Sequence, residues 1–350
     1  MNRQGKYDTE EITREVTIEV NKDACHALAS LIITKSIPVE KEDNSLQGFS
    51  PEQIGNFYLF LVAICHQTSP RGLPPLEGRV FGATKRGWDY LTAKFEESAR
   101  HESDLLAPTS WARMSTEELS ALYRDAEVGD RLTGVAHRAA LIRDLGKVME
   151  KNRWACLQDL YRLCAGRAGS GDPNLYGLLF LFQAYRDPMR KKSSFLLTLM
   201  RNTGLWHFVD DDQVGVPVDY HEVRGHLRLG TIAVRDENLR RKLLDSLPVT
   251  ATEDLAIRQA VHDAIVLISK LTACHTPAQL HYLFWNVFRS CCTRESPHCQ
   301  RCPTECSLPE RYVPLAIQPN GHRQCPFSGV CASANSSQRY YEHVFDTDYY

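Results

Sequence analysis

The chain has 350 residues, 24% of them charged, and a formal net charge of −2. That length suits one large two-lobed domain or two domains with a full core, so small size forces no disulfide or metal staple. The near-neutral balance excludes a protein that holds nucleic acid by bulk positive charge and leaves room for a local basic groove.

No run of about 18 apolar residues occurs, and the opening MNRQGKYDTEEITREV lacks the apolar core of a signal peptide. A soluble, cytoplasmic monomer without membrane contact is expected. In chain order, EVTIEV (15–20) alternates like a short strand. Ser50, followed by Pro51 and Gln53, predicts a capped helix through IGNFYLFLVAICH, because the serine oxygen and the glutamine side chain satisfy backbone N–H groups that a helix start leaves unpaired. Ser115 with Glu118 and Thr250 with Glu253 repeat the device. Glycine and proline break periodicity at SPRGLPPLEG (69–78) and at AGRAGSGDP (165–173), the second a boundary between lobes. DPMRKKSSFLLTLM reads as a basic helix, VPVDYHEVRGHLRLG as a helix opening near Asp219, and TIAV after Gly230 as a second short strand. Neither strand is long enough to found a sheet. Ile257, Val261, Ala264, Ile265, Ile268 and Leu271 recur at helical steps and form a core stripe, and QLHYLFWNVFRSCC is an aromatic helix. The last segment, ASANSSQRYYEHVFDTDYY, shows no periodicity and is expected to drape over the body or to be disordered. The fold expected is mainly α and two-lobed. Residues 1–165 form an N-terminal helical lobe with a short strand near its start, 166–290 a catalytic helical lobe, 291–331 a cysteine-rich loop and 332–350 a tail.

Twelve cysteines in a chain expected in the cytoplasm argue against a disulfide framework. Cys292, Cys299, Cys302 and Cys306 have the spacing C-x6-C-x2-C-x3-C, and thiolates at such intervals can wrap one compact centre. Four soft ligands with no well-spaced histidine favour a [4Fe–4S] cluster, with an all-thiolate zinc site as the alternative. Cys325 and Cys331, spaced C-x5-C, and Cys291 are alternate ligands. The competing reading is that these are small core residues, as free cysteines usually are.

Asp219 precedes a helix, where aspartate is a favoured cap. Its segment carries a further signal: VPVDYHEVRGHLRLG resembles the catalytic segment of the helix-hairpin-helix DNA glycosylase superfamily, in which a VD-x-[HR] string holds the essential aspartate. The PVDYR variant of archaeal 8-oxoguanine DNA glycosylases is especially similar. The resemblance implies a two-lobed helical fold with a C-terminal metal-cluster loop, a catalytic role for Asp219, and a nucleophilic lysine upstream at Lys191 or Lys192. The relatives' lysine–aspartate gap is a few residues longer, so both lysines stay open. For RKK alone, a solvated basic face or phosphate binding is the ordinary explanation.

CCTRESPHCQRCPTEC resembles the cluster loop of endonuclease III and adenine glycosylases, C-x6-C-x2-C-x5-C, but is two residues short in the last gap. The fourth ligand therefore stays open among Cys306, Cys325 and Cys331. The family's LPG-x-G phosphate-holding turn is absent before Lys191, which leaves that work to Arg186, Arg190, Lys192, Arg224 and Arg228, with Arg294, His298 and Arg301 from the cluster loop. Over more of its length the chain is similar to queuosine-salvage glycosylases: TIEV...ALASLIITKS, YRDPMRKK, VDYH and HYLFWN recur in similar order, without the cysteine loop.

Both relatives cleave an N-glycosidic bond, which builds positive charge on the sugar. The resemblance implies that Asp219 stabilises that charge or orients water, and that a desolvated lysine, if neutral, attacks C1′ and adds strand scission. A base flipped from DNA needs aromatic stacking and polar edges. Candidates are His66 and Gln67, in a stretch similar to the SAQ-T loop of endonuclease III, with Trp285, Phe284, Tyr220, His221, Arg190 and Arg224. Trp88 is a weaker one. The function expected is a DNA N-glycosylase acting on a damaged or modified base, modified phage bases included. The alternatives are a nucleotide N-glycosylase of the queuosine-salvage type and a non-catalytic nucleic-acid-binding scaffold.

Overall fold

Ser50, Ser115 and Thr250 each open a helix in the computed structural model. Each side-chain oxygen accepts the N–H three residues on, while Gln53, Glu118 and Glu253 reach back to the cap's own N–H. The structure describes residues 16–38, 46–302, 307–318, 320–334, 336 and 339–350. The elements run β1 (Ile18–Val20), α1 (Lys22–Ile33), α2 (Pro51–Ala63), β2 (Glu77–Val80), β3 (Ala83–Arg86), α3 (Gly87–His101), α4 (Pro108–Trp111), α5 (Thr116–Tyr123) and α6 (Val135–Asn152). They continue with α7 (Leu157–Leu163), α8 (Leu175–Leu179), α9 (Lys191–Asn202), α10 (Tyr220–Leu229), β4 (Ile232–Val234), α11 (Glu237–Asp245), α12 (Ala251–Thr272), α13 (Pro277–Ser290) and α14 (Val313–Ala316). The protein is mainly helical, as its capping signals and apolar periodicity predict. No helix among the described residues is long and apolar enough to cross a membrane.

The chain divides into two compact units, one of residues 1–40 with 216–347 and the other of 41–215 with 348–350. The expected lobe boundary at 165/166 is thus displaced to 215/216, and the first forty residues leave the N-terminal lobe. Strand pairing is the cause. The two short strands find each other, β1 lying antiparallel to β4 with Ile18 opposite Val234 and Val20 opposite Ile232. Behind β1, α1 buries Cys25, Leu28, Ala29 and Ile32 in the core that contains Ile257, Val261, Ile265 and Ile268 of α12. The 165–173 loop lies inside the other unit, tied by the Asp210 carboxylate, which accepts the N–H groups of Ala168, Gly169 and Ser170 at 2.7, 3.0 and 2.7 Å. Burial works against that charge, but the hydrogen bonds outweigh it and bring the carboxyl down to about 2.

The described residues of 332–347 are anchored to the unit that pairs β1 with β4, the first of the two outcomes expected of the last segment. Glu342 pairs with Arg224 and Arg294, His343 Nε2 lies 3.0 Å from Asp254 Oδ1, and Val249 N–H donates to Val344 O at 2.9 Å. The cysteine-rich segment belongs to this same unit.

In the other unit, α2 is buried on nearly every face from Gly55 to Ala63, as expected of a helix apolar all round. Phe60 of α2 stacks on Phe95 of α3 with ring centroids 4.2 Å apart. A hairpin the sequence reading passed over joins β2 to β3 through Phe81 and Gly82, whose φ values of 51° and 77° give the two-residue turn that matches strand twist.

Candidate active site

Asp219 stands just ahead of α10 with extended backbone (φ −117°, ψ −178°), which folds its carboxylate over the first helical turn. Oδ1 accepts the N–H of His221 at 2.8 Å and of Glu222 at 3.2 Å. Glu222 Oε2 in turn accepts the Asp219 N–H at 3.3 Å. This is a capping box with aspartate in the serine position, legible as D-x-x-E and missed in the sequence. The other oxygen, Oδ2, accepts the indole N–H of Trp285 on α13 at 3.1 Å. Asp219 is only 6% exposed, yet both of its oxygens are held by donors.

Behind it, Glu222 is fully buried and its Oε1 lies 2.9 Å from His281 Nδ1. Burial raises the Glu222 carboxyl, and the imidazole offsets that only in part. Trp285, Asp219, Glu222 and His281 therefore form one hydrogen-bonded chain across α10 and α13. The helices meet closely enough that a Cβ on Gly225 would lie 2.2 Å from the Phe288 ring. The arrangement is a rigid, preorganised carboxylate, able to stabilise a cation or hold a water without reorganising.

Several other expected site residues have different tasks. Arg224 is buried, donating to Cys292 O at 2.6 Å and Phe288 O at 3.1 Å, and pairing with Glu342 and His221. Arg228, also buried, is spent on the carbonyls of Tyr340, Thr293 and Arg294. Neither is available to a phosphate, which corrects the reading of both as nucleic-acid contacts. Phe284 is a core residue between His226 and Phe327 rather than a pocket wall. Trp285 is half-buried, with Arg289 4.0 Å over its ring. Tyr220 and His221 are half-buried, their rings 4.2 Å apart.

Lys191, Lys192, His66, Gln67 and Arg190 belong to the other unit. The RKK run is not a solvated face: Arg190 is exposed, with Tyr176 4.8 Å beneath its guanidinium, but both lysines are buried. Lys191 Nζ lies 3.7 Å from Cys65 Sγ, and Lys192 Nζ donates to Ala63 O at 2.6 Å and faces His66 Nδ1 at 3.4 Å. His66 is buried beside Arg138 and the lysines, and burial followed by those charges holds its imidazole neutral. Gln67 is half-buried in left-handed backbone (φ 44°).

Burial lowers the Lys192 amine from 10.5 to about 8. Between those pH values the unfolded chain binds the proton that the folded chain has lost, so this lysine adds stability as pH rises from 8 to 10.5. Across that window, wild type is expected to gain about 3 kcal/mol relative to Lys192→Met in denaturant unfolding. A flat difference between the two would mean that Lys192 titrates normally.

Cys292 and Cys299 of the expected ligand run line one small cavity together with Cys291, Cys325 and Cys331. Cys302 is not among the lining residues, and Cys306 lies outside the described residues. Burial raises the thiols of Cys299 and Cys331, the latter to about 12, and the charges of the neighbouring cysteine sulfurs add to both rises. No group of three or more His, Cys, Asp or Glu among the described residues is gathered as for a single ion. The donor set of the cavity is nonetheless all soft sulfur, the type that iron–sulfur clusters take. No protein-family model matches the sequence, and no curated protein matches it.

Proposed function

We propose that the protein is a DNA N-glycosylase of helix-hairpin-helix type, releasing a damaged or modified base, with Asp219 as the catalytic carboxylate and an iron–sulfur centre in its cysteine-rich segment. The observation that carries this reading is the Asp219 carboxylate, buried at the start of α10 and fixed by two backbone N–H groups and the Trp285 indole. A cap needs only the first two of those donors. The third turns the carboxylate into a fixed dipole partner for a developing charge. As the bond between C1′ and the base nitrogen breaks, its electron pair leaves with the base, which takes up a proton from solvent; positive charge grows on the sugar and the anion stabilises it, while water attacks C1′ and loses its proton to the carboxylate or to solvent.

On this reading the enzyme is monofunctional. Burial brings the Lys192 amine down to about 8, the state a nucleophilic lysine needs, so it is the engagement of Lys191 by Cys65 and of Lys192 by Ala63 and His66 that we take to hold both amines from C1′ and to leave the strand uncut. DNA is favoured over a free nucleotide by the cysteine-rich loop, which the queuosine-salvage glycosylases that the sequence also resembles do not carry.

The test is to incubate the protein with duplex and single-stranded DNA carrying a panel of modified bases, and with the matching nucleotides, and to follow free base by mass spectrometry. The expected result is base release from DNA, an intact abasic strand, and no protein–DNA adduct trapped by borohydride. Release from nucleotides alone would replace DNA with a salvage substrate. DNA binding without release of any base would leave a non-catalytic scaffold.

A further inference from the structure

The cysteine cavity draws on two stretches of chain. One is the run from the end of α13, which supplies Cys292 and Cys299. The other is the CPFSGVC segment, which supplies Cys325 and Cys331. The two are zipped together by the backbone: Cys325 N–H donates to Cys299 O at 3.3 Å and Cys302 N–H to Arg323 O at 2.8 Å. Within CPFSGVC, Ser328 N–H returns to Cys325 O at 3.0 Å and Val330 N–H to Phe327 O at 3.0 Å. These two successive turns bring Cys325 and Cys331 to the same cavity. The remaining lining includes the apolar side chains of Leu229, Phe288 and Phe327.

We infer that Cys292, Cys299, Cys325 and Cys331 are the four ligands of an iron–sulfur cluster held between two segments, in place of the consecutive set ending at Cys302 and Cys306. The inference rests on the metal-centre part of the function proposed above and does not depend on base release. Cys291 is the fifth cysteine of the cavity; it caps α13, its carbonyl accepting the His298 N–H at 2.7 Å, and its side chain is hydrogen-bonded to Cys325, a supporting place beside the four ligands. Arg228 lies beside the site: its guanidinium reaches Cys292 Sγ at 3.5 Å, and its carbonyl accepts from the Cys331 thiol at 3.3 Å, a proton that ligation would displace. A buried cation beside the sulfurs offsets the negative charge that four thiolates bring to a cluster. The residues after Cys331 then close the end of α10, with Ala332 N–H donating to Leu229 O at 3.2 Å and Ser333 N–H to Arg228 O at 3.0 Å. The centre thereby clasps the far end of the helix that Asp219 begins.

The full chain, purified without oxygen, is assayed for iron, acid-labile sulfide and zinc. Wild type is expected to hold about four iron and four sulfide per chain and to show the visible absorption of such a cluster. Cys325→Ser and Cys331→Ser are expected to lose most of both, while Cys302→Ser and Cys306→Ser keep them. Because a ligand variant can fail by misfolding, wild type is also alkylated as isolated and mapped by mass spectrometry. Cys302 and Cys306 are expected to label, and Cys292, Cys299, Cys325 and Cys331 only after iron is chelated. Protection of Cys302 and Cys306, with metal lost from their serine variants, overturns the ligand set but leaves a metal centre standing. Zinc in place of iron and sulfide overturns the cluster. A chain without metal overturns the centre altogether, and base release from DNA by that same preparation would leave the glycosylase reading intact.

Discussion

Asp219→Asn is expected to lower base release on the order of a thousandfold while the protein stays folded. Asparagine is as good a helix cap as aspartate. Its amide oxygen keeps the His221 and Glu222 N–H groups that Oδ1 now accepts. What it loses is the charge and the acceptor for the Trp285 indole, and Trp285 is half-buried, so that N–H can turn to water. The substitution therefore separates the helix cap from the proposed chemical role of this residue. If the variant releases base at the wild-type rate, Asp219 is a cap alone. Asp219→Ala removes both tasks and should in addition cost about 1 kcal/mol of stability. Thermal unfolding and DNA binding measured beside the rate tell a chemical defect from a structural one.

Arg224→Met is expected to destabilise the protein by about 3–5 kcal/mol, the largest stability effect foreseen. The side chain is 2% exposed and its partner Glu342 is 5% exposed, so removing the cation strands a carboxylate away from water. Arg294, which also reaches Glu342 at 2.7 Å, relieves part of that cost. Replacing both partners, as in Arg224→Met with Glu342→Met, should cost less than the two single changes added together, because no charge is then left alone. Urea unfolding of the four proteins measures the coupling. Full stability of Arg224→Met combined with weakened DNA binding would return Arg224 to the surface role that its charge suggests in the sequence.

Local signals were the legible ones. Helix starts at Ser50, Ser115 and Thr250 depend on side chains three residues apart, and all three are formed. The core stripe of α12 and the two short strands were readable for the same reason. What sequence spacing could not supply was proximity between distant segments. Neither EVTIEV nor TIAV announces the other as a partner, so the unit boundary was put at a glycine-rich loop that Asp210 holds inside a single unit. Cys302 sits nearer in sequence to Cys299 than Cys325 does, yet Cys325 shares the cavity. Charge misled in a consistent direction. Arg224 and Arg228 were read as phosphate contacts because cations are usually exposed, whereas backbone carbonyls and Glu342 make their burial possible here; for Lys191 and Lys192 the sequence left burial and exposure both open. Asp219 was singled out through a resemblance, while its capping partner Glu222 could have been sought from the D-x-x-E pattern and was not.

The pairing of β1 with β4 joins positions more than two hundred residues apart, and this has a bearing on how the protein is made. Residues 41–215, an almost complete unit, leave the ribosome before the strand that β1 needs. At about 5–20 residues per second, the stretch from β1 to β4 takes roughly 10–40 seconds to synthesise. For that interval Leu28 and Ile32 of α1, buried once the fold is complete, have no core to enter. The nascent chain thus spends its longest wait with its earliest helix uncovered, a period in which chaperone capture competes with aggregation. Synonymous codon changes that slow translation between β1 and β4 should lower soluble yield without altering the finished molecule.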